Sequence, residues 1–281
     1  MSDVLHAVFG AWSAEPVPVI AAVTATVLYL VGSRRLRAEG SERAPSRGQL
    51  VCMTGGVATI LVALLSPLDD FALRLQWVHM VQHLLLLVVA PPLVVLSRPW
   101  ETAAAALAPG PRAAAMKLLR VPRTPHRQVG MAIAAVAVFV GVMWAWHIPW
   151  MYDLTLHNET VHDLEHTAFL AVGLIFWTEA LPREGSAHAV GPIGRSVVVL
   201  GGLVGSWILA VYIGYAPTVL YDYSGSGGLS ALTDQQIAAG VMWVPASIPF
   251  VAMLSVLIAR WFDDDARAAA ADIRSQLEVH V

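Results

Sequence analysis

Charge is scarce in this chain: only 13% of its 281 residues are Asp, Glu, Lys or Arg, against about 25% in soluble domains. So little polar surface cannot coat a water-soluble globule of this size, and the apolar excess must face lipid. Cysteine is nearly absent. Cys52 stands alone in an apolar run, which excludes an intrachain disulfide framework and any CxxC metal or redox motif. Lysine is equally rare, with Lys117 beside sixteen arginines, and 20 acidic against 17 basic residues give a net charge of -3. No basic stripe remains for nucleic acid. A positive n-region before the first apolar run is also missing, so residues 1–16 do not read as a cleaved signal. The excess of arginine and alanine fits a high-GC bacterial source.

What the chain has instead is apolar length, with 57% hydrophobic residues and a mean hydropathy of +0.64. A hydrocarbon core of roughly 30 Å is crossed by about 20 helical residues. Runs near that length lie at Val17 to Ser33, Leu50 to Pro67, Gln76 to Leu96, Val129 to Trp146, Val161 to Leu181, Val197 to Val219 and Ile237 to Trp261. They are too long and too rich in Leu, Val and Ala for buried strands. The predicted fold is therefore all-α: a polytopic protein with seven transmembrane helices over residues 17–261, an extracytoplasmic segment 1–16 and a cytoplasmic tail 262–281.

The arginines set the orientation. Arg34, Arg35, Arg37, Arg43 and Arg47 follow the first run; Arg98, Arg112, Lys117, Arg120, Arg123 and Arg127 follow the third. Arg183 and Arg195 follow the fifth, and Arg260, Arg267 and Arg274 the seventh, leaving Arg74 alone on the other side. Positive charge stays cytoplasmic, so the N-terminus is expected outside and the C-terminus inside, in a bacterial plasma membrane. The outer side holds Asp3, Glu15, Asp69, Asp70, Asp153, Glu159, Asp163, Glu165, Asp222 and Asp234. These acids either drift there because topology does not forbid them, or form a mouth that attracts cations. The longest connection, Ser97 to Gln128, is Pro-rich and basic, and its Glu101 to Arg120 stretch predicts a short surface helix lying on anionic lipid.

Six of the ten histidines, His79, His83, His147, His157, His162 and His166, fall within or beside the outer halves of the third, fourth and fifth spans. An ionisable group in a span costs several kcal/mol unless it faces the bundle interior and is paired or metal-bound. His79-x-x-x-His83 and His162-x-x-x-His166 each put two imidazoles on one helix face a turn apart. Two such pairs on different helices resemble the clamp of a metal site in a bundle. With about 1.5 Å of rise per residue, His83, His166 and Met242 form one tier roughly 8 to 12 Å deep, and His79, His162 and Asp234 a shallower one. The alternative is hydrogen bonding of histidines to neighbouring carbonyls. Glu165 and Asp163 can hold the second ring nitrogen of a ligating histidine, or sit as surface charges at a helix start. Imidazole suits zinc, copper, iron and nickel; Met80, Met143, Met151 and Met242 make copper plausible, although each can equally be apolar filler.

Pro91-Pro92, and Pro245 with Pro249, predict kinks; Gly201, Gly202 and Gly205 predict close helix packing. Trp144, Trp146, Trp150, Tyr152, Tyr212, Tyr215, Tyr221 and Tyr223 read as an outer aromatic belt.

Taken together, His79-Met-Val-Gln-His83-Leu-Leu-Leu, Ala90-Pro91-Pro92-Leu93, Pro99, His147-Ile-Pro-Trp-Met-Tyr152, His162-Asp-Leu-Glu-His166 with Phe176-Trp177, and Asp234-Gln235 through Gly240-Val-Met242-Trp243 resemble the multi-span CtaG family of cytochrome c oxidase assembly factors. The resemblance runs from about Pro67 to Trp261. It implies a non-enzymatic role in maturing a heme-copper oxidase, with copper as cargo, oxidase subunit one as recipient and an extracytoplasmic copper donor as a further partner. Carried onto this sequence, it makes His83, His166, Asp234 and Met242 the first ligand candidates and His79, His162 and His147 the second. Two other readings stay open: a b-type cytochrome with His83 and His166 on heme iron, and an intramembrane zinc hydrolase with Glu165 or Asp234 as base. No HExxH motif supports the last.

Overall fold

A computed structural model describes residues 12–13, 15–119, 124–181, 191–225 and 227–279, with residues 268–279 described by backbone alone. The expectations for Asp3, Arg120, Arg123 and Arg183, and for the side chain of Arg274, lie outside the described residues. Among the described residues all regular structure is helical. In chain order the helices are α1 Pro16–Ala38, α2 Arg47–Leu65, α3 Leu68–Ala72, α4 Gln76–Leu96, α5 Pro99–Ala106, α6 Pro109–Leu119, α7 Pro125–Trp146, α8 Pro149–His157, α9 Glu159–Ala180, α10 Pro192–Gly214, α11 Ala231–Trp243 and α12 Ser247–Val279.

Among the described residues six stretches are long and apolar enough to cross a membrane: α1, α2, α4, α7, α10, and Ala231–Arg267, which joins α11 to α12. These match six of the seven runs read from sequence. The remaining one, α9, has 22 residues and so the same length as its neighbours. His162, Asp163, Glu165 and His166 dilute its hydropathy, and three of those four are buried.

Starts and stops follow local chemistry. Ser46 caps α2 in a full capping box with Gln49, Asn158 caps α9 and Ser230 caps α11. Proline opens α1, α5, α7, α8 and α10, where its missing N–H is not needed. Pro245 helps divide α11 from α12 at residues 244–246, where Ser247 Oγ takes the Trp207 indole N–H at 2.6 Å and itself bonds the Trp243 carbonyl. The basic connection folds into two short helices. α5 packs on α1, Arg35 covers its last carbonyls at Ala106 (2.7 Å) and Leu107 (2.8 Å), and α6 buries no residue. The tail continues α12 as helix to Val279.

α9 lies between α4 and α7. Its Gly173 meets the one irregularity in α4, a π-turn at Leu85–Val89 ahead of Pro91. Pro91 has no N–H to give the Leu87 carbonyl four residues earlier; the Trp177 indole supplies one at 3.2 Å. A Cβ on Gly173 would stand 2.7 Å from Pro91 Cγ and 2.8 Å from that same carbonyl oxygen, so only glycine allows this approach. Gly202 meets the Phe176 ring and Gly205 the Val140 side chain just as closely, as small residues at a helix crossing do.

Candidate metal centre

The π-turn follows His83 directly, and helix α4 carries His79, Gln82 and His83 on one face at i, i+3 and i+4. Opposite them α9 presents His162, Glu165 and His166 at the same spacing. All six side chains are buried, with His79, Gln82 and Glu165 wholly so. The imidazoles pair tier by tier: His79 faces His162 with ring centres 5.1 Å apart, and His83 faces His166 at 5.8 Å. Within each helix the two rings stand 4.2 Å apart. His147, at the end of α7, joins at 6.0 Å from His83.

Glu165 lies between the two helices. Its Oε2 is 3.4 Å from His79 Nε2 and 3.6 Å from His83 Nε2. Three overlapping sets of side chains can each bring one ligand atom apiece within 4.8 Å of the others: His79, His83 and His166; His79, His162 and Glu165; Asp69, His162 and His166.

The hydrogen bonds leave the right nitrogens bare. His147 Nδ1 stands 2.7 Å from the Met143 carbonyl, which can only accept, so Nδ1 carries the proton and Nε2 keeps its lone pair. Tyr223 gives its hydroxyl proton to the Ala72 carbonyl at 2.8 Å; its oxygen, 3.0 Å from His79 Nδ1, therefore accepts from that ring. Tyr152 stands at the same 3.0 Å from the same nitrogen. His79 Nε2 is thereby turned toward Glu165. Among the described residues the Nε2 atoms of His79, His83, His147, His162 and His166 have no hydrogen-bond partner, and neither does His83 Nδ1. Buried polar atoms are normally satisfied, and this many unsatisfied ones at one point fit a metal ion, whose binding needs neutral imidazole lone pairs. The neighbours holding the far nitrogens of His79 and His147 are what metal-ligating histidines require.

Other sequence-derived candidates stand elsewhere. Asp234 is fully buried, but its two oxygens accept the backbone N–H groups of Gln76 (2.8 Å) and Trp77 (3.0 Å). It caps α4 from another helix and so fixes the start of the strip that carries the histidines. Met242 is buried on α11, which packs along α4, while the Met143 sulfur accepts from the Ser206 hydroxyl at 3.6 Å. His157 is exposed and 3.5 Å from Asp222, apart from the cluster. Asp163 is exposed.

The aromatic belt needs correction. Trp150, Tyr212 and Tyr215 are exposed, yet Tyr152, Tyr221, Tyr223 and Trp146 are buried. Tyr152 and Tyr223 bond to His79, and Tyr221 donates to the His147 carbonyl at 3.0 Å. Burial pushes the Tyr223 and Tyr221 hydroxyls well above the usual phenol range, so they remain proton donors.

Asp69 and Gln82 also escaped the sequence reading as site residues. Gln82 Nε2 bridges the Ala63 carbonyl (2.8 Å) and Asp69 Oδ1 (2.7 Å). Burial raises the Asp69 pKa against the pull of that hydrogen bond. Glu15 is raised as well, by burial first and then by Asp163, Asp69 and Glu159, which gather at the same rim. Beneath the histidines an aromatic floor closes the bundle: Phe169 stands 4.5 Å from His83, and Phe139 and Phe176 are 4.3 Å apart, with Phe250 and Trp177 beside them.

Comparison with known proteins gives the same picture of relationship. The family model described as cytochrome c oxidase caa3 assembly factor matches residues 27–264. An uncharacterized protein of Mycobacterium leprae is 22% identical over 282 residues, covering 95% of this chain and 42% of that protein. Uncharacterized proteins of Mycobacterium bovis and Mycobacterium tuberculosis are each 22% identical over 275 residues, covering 94% of this chain and 41% of theirs. The chain thus spans about two fifths of the length of these curated relatives. No solved structure matches it.

Proposed function

The chain belongs to the cytochrome c oxidase caa3 assembly factor family, and from that premise we propose that it takes up a copper ion at the histidine cluster from the extracytoplasmic side and passes it to subunit one of a heme-copper oxidase. The observation that carries this reading is the convergence, from α4, α7 and α9, of the Glu165 carboxylate and five buried imidazole Nε2 atoms that have no hydrogen-bond partner among the described residues. Imidazole with carboxylate suits a first-row divalent cation, and copper is the one that a heme-copper oxidase consumes. The rings stand edge to face with centres 4.2 to 5.1 Å apart, which favours one small ion over a porphyrin held between two of them. No turnover is needed. Ligand exchange with a partner's donors at the outer rim is enough, both for loading from an extracytoplasmic copper donor and for delivery.

In this reading α9 is a seventh crossing of a bacterial plasma membrane, with the N-terminus outside and the C-terminus inside. His162, Glu165 and His166 are buried in the bundle rather than turned to lipid, which is how such groups are tolerated at depth. Elemental analysis tests the copper step: detergent-purified protein loaded with copper and desalted retains the metal, and the His83→Ala, His166→Ala double variant does not. Equal copper in both proteins overturns the proposal.

A further inference from the structure

His166 belongs to two of the three ligand sets. With His79 and His83 it forms a wholly buried one; with His162 and Asp69 it forms one whose third member is only half-buried. Asp69 sits on the short helix α3 between the first two crossings and α4, and it is held by Gln82, which accounts for one of its oxygens. A carboxylate oxygen of Asp69 lies within 4.8 Å of a ring nitrogen of His162 and of His166. Both of those rings are more than nine-tenths buried, and their Nε2 atoms have no partner among the described residues. Around Asp69 stand Glu15, Asp70, Asp163 and the fully buried Glu165 behind them, without a described cation paired to Asp69.

Asp69, the half-buried member, is therefore the first ligand that a cation entering from the acidic rim encounters. A hydrated cation meets Asp69 first, where a carboxylate can replace water while the ion keeps part of its hydration shell. His162 and His166, the other members of its set, come next, and His79 and His83, which share His166 but not Asp69, follow. The ion can exchange Asp69 and His162 for His79 and His83 while His166 stays bound throughout, so it is never stripped of its ligands at depth.

We propose that Asp69, His162 and His166 form an entry position for a divalent cation, distinct from the deeper position at His79, His83 and His166, and that His166 is the hinge over which the ion passes from one to the other. This rests on the reading that the histidine cluster takes up metal, and adds to it a route and a ligand, Asp69. The step is ligand exchange only: each donor that leaves is replaced by another, and no electron moves.

The test measures uptake rate and final content separately, on full-length protein in detergent. Cu(II) is mixed with apo protein, uptake is followed by stopped flow, and bound copper is counted after desalting. Asp69→Asn keeps the shape and the Gln82 contact but lowers the charge and donor strength at the rim; it is expected to slow capture at least about tenfold, the lower end of what a charged cleft contributes to an on-rate. Its final copper content equals that of the wild type. Asp69→His restores a ligand and recovers much of the rate, which separates loss of a donor from loss of folding; a thermal melt of each variant accompanies the kinetics. His83→Ala retains the fast phase and loses the retained ion. Unchanged capture in Asp69→Asn, or loss of final copper equal to that of His166→Ala, overturns the two-position route while leaving the function reading intact. A wild-type chain that retains no copper overturns both.

Discussion

At the scale of single residues, the cluster shows how much a sequence can and cannot declare. Both HxxxH pairs are visible as spacing, because helix geometry alone puts such residues on one face. The face also holds Gln82 and Glu165, at the same i+3 spacing from the first histidine of each pair, and that was available to reading. Asp69 was legible only as one of the outer acids, and Tyr152 and Tyr223 only as members of an aromatic belt. Tyr223 reaches His79 across 144 positions and Tyr152 across 73, and nothing local distinguishes these tyrosines from exposed Tyr212 and Tyr215. Asp234 is the converse case, a buried carboxylate whose oxygens are taken up by backbone donors of α4. Replacing it by alanine leaves two N–H groups without acceptors, so Asp234→Ala is expected to lower stability by about 1–2 kcal/mol, as loss of a helix cap does, in a denaturant melt of the detergent-solubilised protein. Asp234→Asn, which keeps one acceptor, loses less. Gly173→Ala drives a methyl into Pro91 and the Leu87 carbonyl and is expected to cost about 1–3 kcal/mol by the same measurement. Gly141→Ala serves as the control, because open space surrounds that position.

At the scale of elements, composition and length announced the apolar helices, and six were recovered with ends within a turn or two because proline, serine and threonine mark them chemically. α9 was legible for length but is less apolar than its neighbours, since the histidines and acids it brings to the cluster are the residues that make it polar. The π-turn of α4 was not legible. Pro91-Pro92 announced a disturbance without saying that it would be a widened turn satisfied by a tryptophan 90 positions away. That indole is a specific lever. Trp177→Phe preserves the ring packing but strands a buried carbonyl, which costs about 1–3 kcal/mol. Deleting one residue within Leu85–Val89 goes further: it rotates His79 and His83 by about 100° relative to Pro91 and the α9 contact. Copper retention should vanish in the deletion while the protein still inserts and extracts as a membrane protein; retained copper would show that the turn does not set the register of the site.

At the scale of the whole molecule, the arginine bias makes a prediction independent of metal. A fluorescent protein fused after Val281 should mature and glow inside the cell, and a cysteine introduced near Trp12 should react with a membrane-impermeant maleimide from outside; the opposite pattern would invert the topology and place the acidic rim in the cytoplasm. The aromatic floor under His83 has a further consequence for traffic. Phe169, Phe139, Phe176, Phe250 and Trp177 pack against one another beside His83 and carry no lone-pair nitrogen or oxygen that could ligate a cation. If the proposed site takes up a cation, those rings offer it no next ligand, so donor and recipient would share the acidic rim as their approach and would exclude each other while docked.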